Sequence, residues 1–267
     1  MTSIVYFNGQ FRPESEATLS VRSRALNYGL GCFAGIRGYR TDDGAQVNVF
    51  RLDRHVRRLD LSARILGLRL PGTREHFAAI IVELLRRNEV GGDVYIRPLI
   101  FADSNALAPV LDPETSGAAV YCMPFGRYLS HDPIDVCVSS WRRVRETAIP
   151  ARAKPTAAYL NSALARREAT ERGFTEAILL TEEGFVSEGE DLGVPFVERH
   201  IGRTELYVAD EMFLCGTGAE ITAVRSVDGR IVGDGTLGPV TRGLSERFEA
   251  AVRGRLPARA QWLTPVW

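Results

Sequence analysis

The sequence predicts a two-domain protein of the α+β or α/β class. Three observations lead there. At 267 residues the chain has room for one large domain or two of ordinary size. Apolar runs with the period of a strand alternate with runs of helical period in both halves, with no repeat and no low-complexity tract. The patterning breaks between Gly126 and Pro133, so we place one domain at residues 1–128 and the other at 134–267.

Each element has its own signal. Ile4-Val5-Tyr6-Phe7 followed by Asn8-Gly9 is a strand ending in a tight turn, so the chain opens with a hairpin. Val47-Asn48-Val49-Phe50 is a strand that runs into Arg51. Leu52, Val56, Leu59, Ala63 and Leu66 keep helical spacing, and Gly67 stops that helix. Pro71-Gly72-Thr73 starts a second helix carrying Phe77, Ile80, Ile81, Leu84 and Leu85. Strands follow over 94–101 and 118–123, around a loop with Pro109 and Pro113. The second half reads as a strand over 134–139, a helix over 161–172 with Tyr159 just ahead of it, and a strand over 176–180. Glu182-Glu183-Gly184 turns that strand back into Phe185-Val186. A strand over 212–215 leads to Gly216-Thr217-Gly218, and the last helix begins near Pro239 and runs to about Gly254. One stretch does not fit. Leu192-Gly193-Val194-Pro195 has the form of a helix end, but Ser187-Glu188-Gly189-Glu190-Asp191 before it leaves no room for a helix.

Composition excludes several functions. Thirty-three basic residues balance 33 acidic ones, which points away from nucleic acid and anionic membranes. No apolar run is long enough to cross a bilayer, and Met1 to Gly9 has neither the basic region nor the cleavage site of a signal peptide, so a cytoplasmic protein is expected. Cys32, Cys122, Cys137 and Cys215 lie far apart, without metal-ligand or CxxC spacing. They read as buried free thiols in a reducing compartment, and no metal site is expected.

The basic residues hold one more signal: 32 are arginine and only Lys154 is lysine. A guanidinium stays protonated, whereas a lysine amine can lose its proton and act as a nucleophile. Pro155 pushes Lys154 into extended geometry, at a strand end or in a loop. Tyr159 follows closely, and Glu188 comes after the next hairpin. Thr217 sits between two glycines, where backbone N–H groups can face an anion. Arg51 opens a helix near its positive end. Pyridoxal-phosphate chemistry needs these types: an amine for the aldehyde, a carboxylate for the pyridine nitrogen, and a cation, hydroxyls and amides for the phosphate. Singly each signal is weak.

Longer motifs join them. Ala25-Leu26-Asn27-Tyr28-Gly29, Phe33-Ala34-Gly35-Ile36-Arg37, Val49-Phe50-Arg51-Leu52, Tyr95-Ile96-Arg97-Pro98, Ser139-Ser140-Trp141-Arg142, Ala153-Lys154, Val186-Ser187-Glu188-Gly189 and Gly216-Thr217-Gly218-Ala219-Glu220 occur in order. On these the chain resembles the fold-type IV (class IV) pyridoxal-phosphate enzymes, a two-domain, D-amino-acid-aminotransferase-like fold. Within them it resembles the branched-chain amino-acid aminotransferases. The resemblance implies pyridoxal 5'-phosphate as cofactor, a second domain that binds it, and transfer of the amino group of leucine, isoleucine or valine to 2-oxoglutarate. It implies that Lys154 is catalytic and carries the cofactor, that Glu188 pairs with the pyridine nitrogen, and that Tyr159 bonds the ring's phenolic oxygen. Arg51, Thr217 and Gly218 would hold the phosphate end. Tyr95, with the backbone of Thr217 and Gly218, would take the substrate α-carboxylate, and Arg97 the distal carboxylate of glutamate. Phe33, Tyr128 and Tyr28 would wall an apolar side-chain pocket. A homodimer is implied, with the loop over 103–110 closing the partner's pocket.

The sequence departs from the family pattern in three places. Ala34 stands where a glutamate is usual, and Ala158 where an asparagine is usual. Family members also carry a strand pair, a Gly-Ile-Thr phosphate turn and a helix between the Ser-Glu-Gly motif and the Leu-Gly-Val stretch. Here Gly189 runs straight into Glu190-Asp191-Leu192-Gly193, so the second domain is expected to be shortened near 189–192. The competing readings are another fold-type IV transaminase acting on D-amino acids or amines, an aminodeoxychorismate lyase, and a non-catalytic relic damaged by the deletion.

Overall fold

The computed structural model describes residues 3–126, 132–150, 152–186 and 199–267. Its elements in chain order are β1 (Ile4–Phe7), β2 (Gln10–Pro13), α1 (Arg24–Tyr28), β3 (Gly31–Phe33), β4 (Ile36–Arg40), β5 (Val47–Phe50), α2 (Leu52–Ile65), α3 (Arg74–Arg87), β6 (Val94–Ala102) and β7 (Ser116–Pro124). Then come β8 (Ile134–Arg142), α4 (Tyr159–Glu171), β9 (Glu176–Leu180), β10 (Phe213–Gly216), β11 (Glu220–Val227), β12 (Arg230–Ile231), α5 (Pro239–Val252) and β13 (Leu263–Pro265). Contacts divide the chain into two units. One holds residues 1–126, 150–157 and 250–267, and the other 127–149 and 158–249. Two segments that the sequence reading put in the second domain therefore pack in the first: the one bearing Lys154 and the C-terminal end.

The first unit is built on an eight-stranded sheet in the order β13-β5-β4-β6-β7-β1-β2, with β3 also paired to β6. The opening hairpin forms as expected, because Asn8 (φ 44°) and Gly9 (φ 90°) take the positive angles of its two-residue turn. Helix α2 buries Leu52, Val56, Leu59 and Ala63 on one stripe. Gly67 (φ 65°) ends it, with the Leu68 N–H donating to the Ala63 carbonyl at 2.8 Å. Helix α3 starts where Thr73 accepts the His76 N–H. Both helices share one core with the sheet. Along β6 the buried residues alternate, and Val94, Ile96 and Ile100 belong to that core. Tyr95, Arg97 and Leu99 therefore project from the opposite face.

Among the described residues, the second unit holds a five-stranded sheet in the order β10-β11-β8-β9, with β12 beside β11. Strand β8 runs parallel to both its neighbours, and α4 packs on β8 and β9. Its core gathers Ile134, Val136, Val138, Ile178, Leu180, Leu206 and Val224. Thr181 and Phe185 close the expected turn after β9, with the Thr181 N–H donating at 2.7 Å to the Phe185 carbonyl. Two expectations need correction. Tyr159 is the first residue of α4 rather than a residue ahead of it. The thiols are not uniformly buried: Cys32 and Cys137 are, Cys122 is half-buried, and Cys215 is exposed at the end of β10. Burial pushes the Cys32 thiol up to about 12 and the Cys122 thiol to about 11, so neither is a reactive thiolate at neutral pH. The Leu192–Gly193 stretch and the shortened segment lie outside the described residues.

Candidate active site

Lys154 is held by its backbone on both sides. The Phe33 N–H donates to the Lys154 carbonyl at 3.1 Å, and the Lys154 N–H points at the Ser62 hydroxyl oxygen at 3.4 Å. Ser62 is 1% exposed and donates in turn to the Arg58 carbonyl at 2.9 Å, so the α2 backbone anchors it. Pro155 bridges to Cys32 as an added strand residue, the extended geometry that a residue before proline favours. The Thr156 hydroxyl lies 2.5 Å from the Gly29 carbonyl oxygen and 3.1 Å from that of Gly31. The segment is thus laced to β3 and to α2.

Three other expected residues of the first unit join it. The Lys154 ammonium lies 5.4 Å from the Phe33 ring centre. On the other strand the Arg97 guanidinium sits 4.2 Å from the same ring. Arg97 also donates from Nε to the Tyr95 hydroxyl at 2.9 Å. Tyr95 packs against Phe125 with ring centres 5.3 Å apart. An amine, a fixed guanidinium and a phenol therefore converge around one aromatic ring on the outer face of the sheet. An amine can attack a carbonyl carbon, and the guanidinium–phenol pair can receive a carboxylate.

Arg51 is the N-cap of α2 in the left-handed conformation (φ 49°, ψ 41°). Its guanidinium lies 5.0 Å from the Trp262 ring centre, and Trp262 packs edge-on against Phe50. A cation at the positive end of a 14-residue helix suits a phosphate. One turn on, burial first and the Arg58 charge next push the His55 imidazole down to about 4, with Arg51 and Lys154 adding to the effect and Asp53 opposing it. His55 is neutral at pH 7 and leaves the positive charge to its neighbours.

In the second unit, Tyr159 heads α4 and is 40% exposed. Thr217 and Gly218 lie in the turn between β10 and β11, where Gly216 pairs with Glu220. Glu220 takes a left-handed angle (φ 54°) that closes the three-residue turn. Glu188 and Tyr128 lie outside the described residues. Tyr28 donates its hydroxyl to the Leu107 carbonyl at 2.5 Å, tying α1 to the loop after β6.

Sequence reasoning passed over Ser62, Thr156 and Trp262. Ser62 had a signal: it is a hydroxyl placed among the apolar positions of α2. Trp262 had none, because it arrives from the far end of the chain.

Comparison with known proteins gives the family of the chain. Residues 31–191 match the family of class IV amino-transferases. A probable branched-chain-amino-acid aminotransferase of Aquifex aeolicus is 38% identical over 299 aligned positions, covering 98% of this chain and 96% of that one. That span exceeds the 267 residues present here, so the relative carries residues this chain lacks. The crystal structure of the branched-chain aminotransferase of Thermoproteus uzoniensis with norvaline superposes with a TM-score of 0.93 at 37% identity, over 100% of both chains. The branched-chain amino acid aminotransferase of Thermobaculum terrenum in its PLP-form (holo-form) gives 0.91 at 32% identity, over 100% of this chain and 99% of that one. The chain belongs to the class IV aminotransferases, in the group of the branched-chain-amino-acid enzymes.

Proposed function

We propose that this enzyme moves the amino group of leucine, isoleucine or valine to 2-oxoglutarate, with pyridoxal 5'-phosphate as cofactor. The observation that carries the reading is the convergence of Lys154, Phe33, Tyr95 and Arg97. The donor set fits the cofactor. The chain's one lysine supplies an amine for an aldehyde, and Arg51 at the head of α2 suits a phosphate. When bound, pyridoxal phosphate supplies an electrophilic aldehyde and a ring that takes up the electron pair left at the substrate Cα.

The residues then divide the work. Lys154 would hold the cofactor's aldehyde, and its amine would serve as the acid–base group for the proton at the substrate Cα. Phe33 gives its amine a face to lie on. Tyr95, with the backbone of Thr217 and Gly218, orients the α-carboxylate, and Arg97 takes the distal carboxylate of glutamate. Arg51 and Thr217 hold the phosphate, Tyr159 the phenolic oxygen and Glu188 the ring nitrogen. Tyr128 completes the apolar wall. Replacing Glu188 by Gln should slow the half-reaction at least about tenfold, roughly 1.4 kcal/mol of barrier. An unchanged rate would leave Glu188 a turn residue.

The working form in this proposal is a homodimer in the cytoplasm. No helix among the described residues is long and apolar enough to cross a membrane. Beyond Arg97, the same outer sheet face opens into an apolar groove of about 470 Å³ lined by Phe7, Leu19, Leu26, Leu99 and Phe101. Leu107 is 87% exposed on a loop held by Arg22, Arg24 and Tyr28 through the carbonyls of Asn105, Ala106 and Leu107. A second copy would cover both. The residues that the relatives have in excess belong, in this proposal, after Gly189. Their loss removes one or two phosphate bonds of about 1.5–3 kcal/mol each, and so weakens cofactor binding by roughly one to three orders of magnitude.

The test is an assay of L-leucine with 2-oxoglutarate on the cofactor-loaded protein, beside D-alanine and a simple amine. Glutamate formation from leucine alone is expected. Turnover only with D-alanine or the amine would move the enzyme to another transaminase group. No turnover with any donor would make it the relic.

A further inference from the structure

Gly35 lies between β3 and β4, both of which pair with β6. Phe33 opposes Leu99 and Ile36 opposes Ile96, and the Ala34 N–H donates to the Pro98 carbonyl at 3.1 Å. The same register sets Gly35 opposite Arg97, on the outer face, between Phe33 and Arg37. At that place the sheet has no side chain. A Cβ built on Gly35 would stand 2.6 Å from the Tyr95 hydroxyl and 3.3 Å from Tyr95 Cε2 and Cζ. The Tyr95 phenol thus occupies the volume that any other residue at 35 would fill. From there its hydroxyl accepts hydrogen bonds from Arg97 Nε at 2.9 Å and Nη2 at 2.5 Å. Gly35 has no unusual φ. Its requirement is space alone.

The geometry points to Gly35 as a specificity-determining residue: its missing side chain seats Tyr95, and seated Tyr95 aims Arg97 at the second carboxylate of a dicarboxylic substrate. This rests on the assignment of Tyr95 and Arg97 to substrate carboxylates made above. A methyl group at 35 would push the phenol off its seat and free Arg97 to swing. Every substrate would lose part of the α-carboxylate contact that Tyr95 makes, and a dicarboxylate would lose the contact with Arg97 as well.

Gly38, three residues on, supplies the comparison. Its Cβ would meet Val94 Cγ1 at 2.8 Å and Val47 Cγ1 at 3.2 Å, both core residues. The collision is similar and the surroundings are apolar. Gly38→Ala should therefore lower stability without changing substrate choice.

The experiment compares kcat/KM for 2-oxoglutarate and for 4-methyl-2-oxopentanoate, with melting temperatures, in wild type, Gly35→Ala, Tyr95→Phe, the double variant and Gly38→Ala. Gly35→Ala should lower kcat/KM for both acids, and at least about tenfold further for the dicarboxylate than for the monocarboxylate. In the Tyr95→Phe background the same change should cost under about threefold with either, because the atom it strikes is gone. Tyr95→Phe adds no bulk; it should lower both acids through the α-carboxylate and, by releasing Arg97, must lower the dicarboxylate further, even if Gly35→Ala does not fold. Equal losses with both acids, a full loss in the Tyr95→Phe background, or a matching shift of preference in Gly38→Ala would each overturn the inference. A wild-type enzyme inactive with 2-oxoglutarate would instead sink the functional reading beneath it.

Discussion

Val94, Ile96 and Ile100 enter the core shared with α2 and α3, while Tyr95 and Arg97, one position away on the same strand, meet each other and Phe33 on the opposite face. Ile96 is fully buried, and Arg97 and Tyr95 are half-buried. One face of β6 holds the sheet to its helices by apolar burial. The other presents polar groups whose partners are aromatic rings and each other. Because the pleat separates them, side chains on the outer face can be changed without opening a cavity, and those on the core face cannot.

The largest effect expected is on the outer face. Lys154→Arg should lower transamination at least about a thousandfold, roughly 4 kcal/mol of barrier, because a guanidinium cannot attack the aldehyde at neutral pH. Its melting temperature should change little, since backbone groups hold that segment. A variant that keeps a tenth of its activity would break the assignment. On the core face, Ile96→Ala should cost about 2–5 kcal/mol of stability and leave the ratio of substrates unchanged. Denaturant unfolding and the two-acid assay read both. A changed ratio would show that the two faces are coupled.

Arg97→Leu sharpens the contrast. Removing a charge-assisted bond of about 1.5–3 kcal/mol should cost roughly ten- to hundredfold in kcat/KM for 2-oxoglutarate and little for leucine. A uniform loss with every substrate would make Arg97 a structural partner of Tyr95 alone. The smallest effect is on α2, beside this face. His55 stays neutral in the folded protein down to about pH 4, while an ordinary histidine in the unfolded chain takes up a proton near 6.5. As pH falls below 6.5 the unfolded state binds the extra proton, so stability drops through that window. For this half-buried ring the loss between pH 7 and 5 is on the order of 1 kcal/mol. The slope should flatten in His55→Gln, and a wild-type curve that is already flat would contradict a neutral His55.

Much of this was legible from residue order, and what was not has a physical reason. The stripe Leu52, Val56, Leu59, Ala63 and the stop at Gly67 gave α2 nearly to the residue, because burial and a left-handed cap are local signals. The turn at Asn8-Gly9 was equally local. Lys154 stood out by chemistry, as one lysine among arginines. The short strands β3 and β4 gave no period of their own, being three and five residues long and buried on almost every side chain. Strand β13 and Trp262 reach the first unit from residues 250–267, and the Lys154 segment is added to β3 through Pro155. Such long-range pairings leave no mark in local sequence. Gly35 lay in a quoted motif, but its role depends on a phenol sixty positions on, which only the register of β6 brings against it.

The central claim is that Lys154 is the group that holds the cofactor. Borohydride reduction of the cofactor-loaded enzyme, followed by peptide mapping, tests it most directly. The account predicts one pyridoxyl label, on the peptide containing Ala153-Lys154-Pro155, and none in Lys154→Arg. A label on the N-terminal amine, or an unchanged label in the variant, would contradict it.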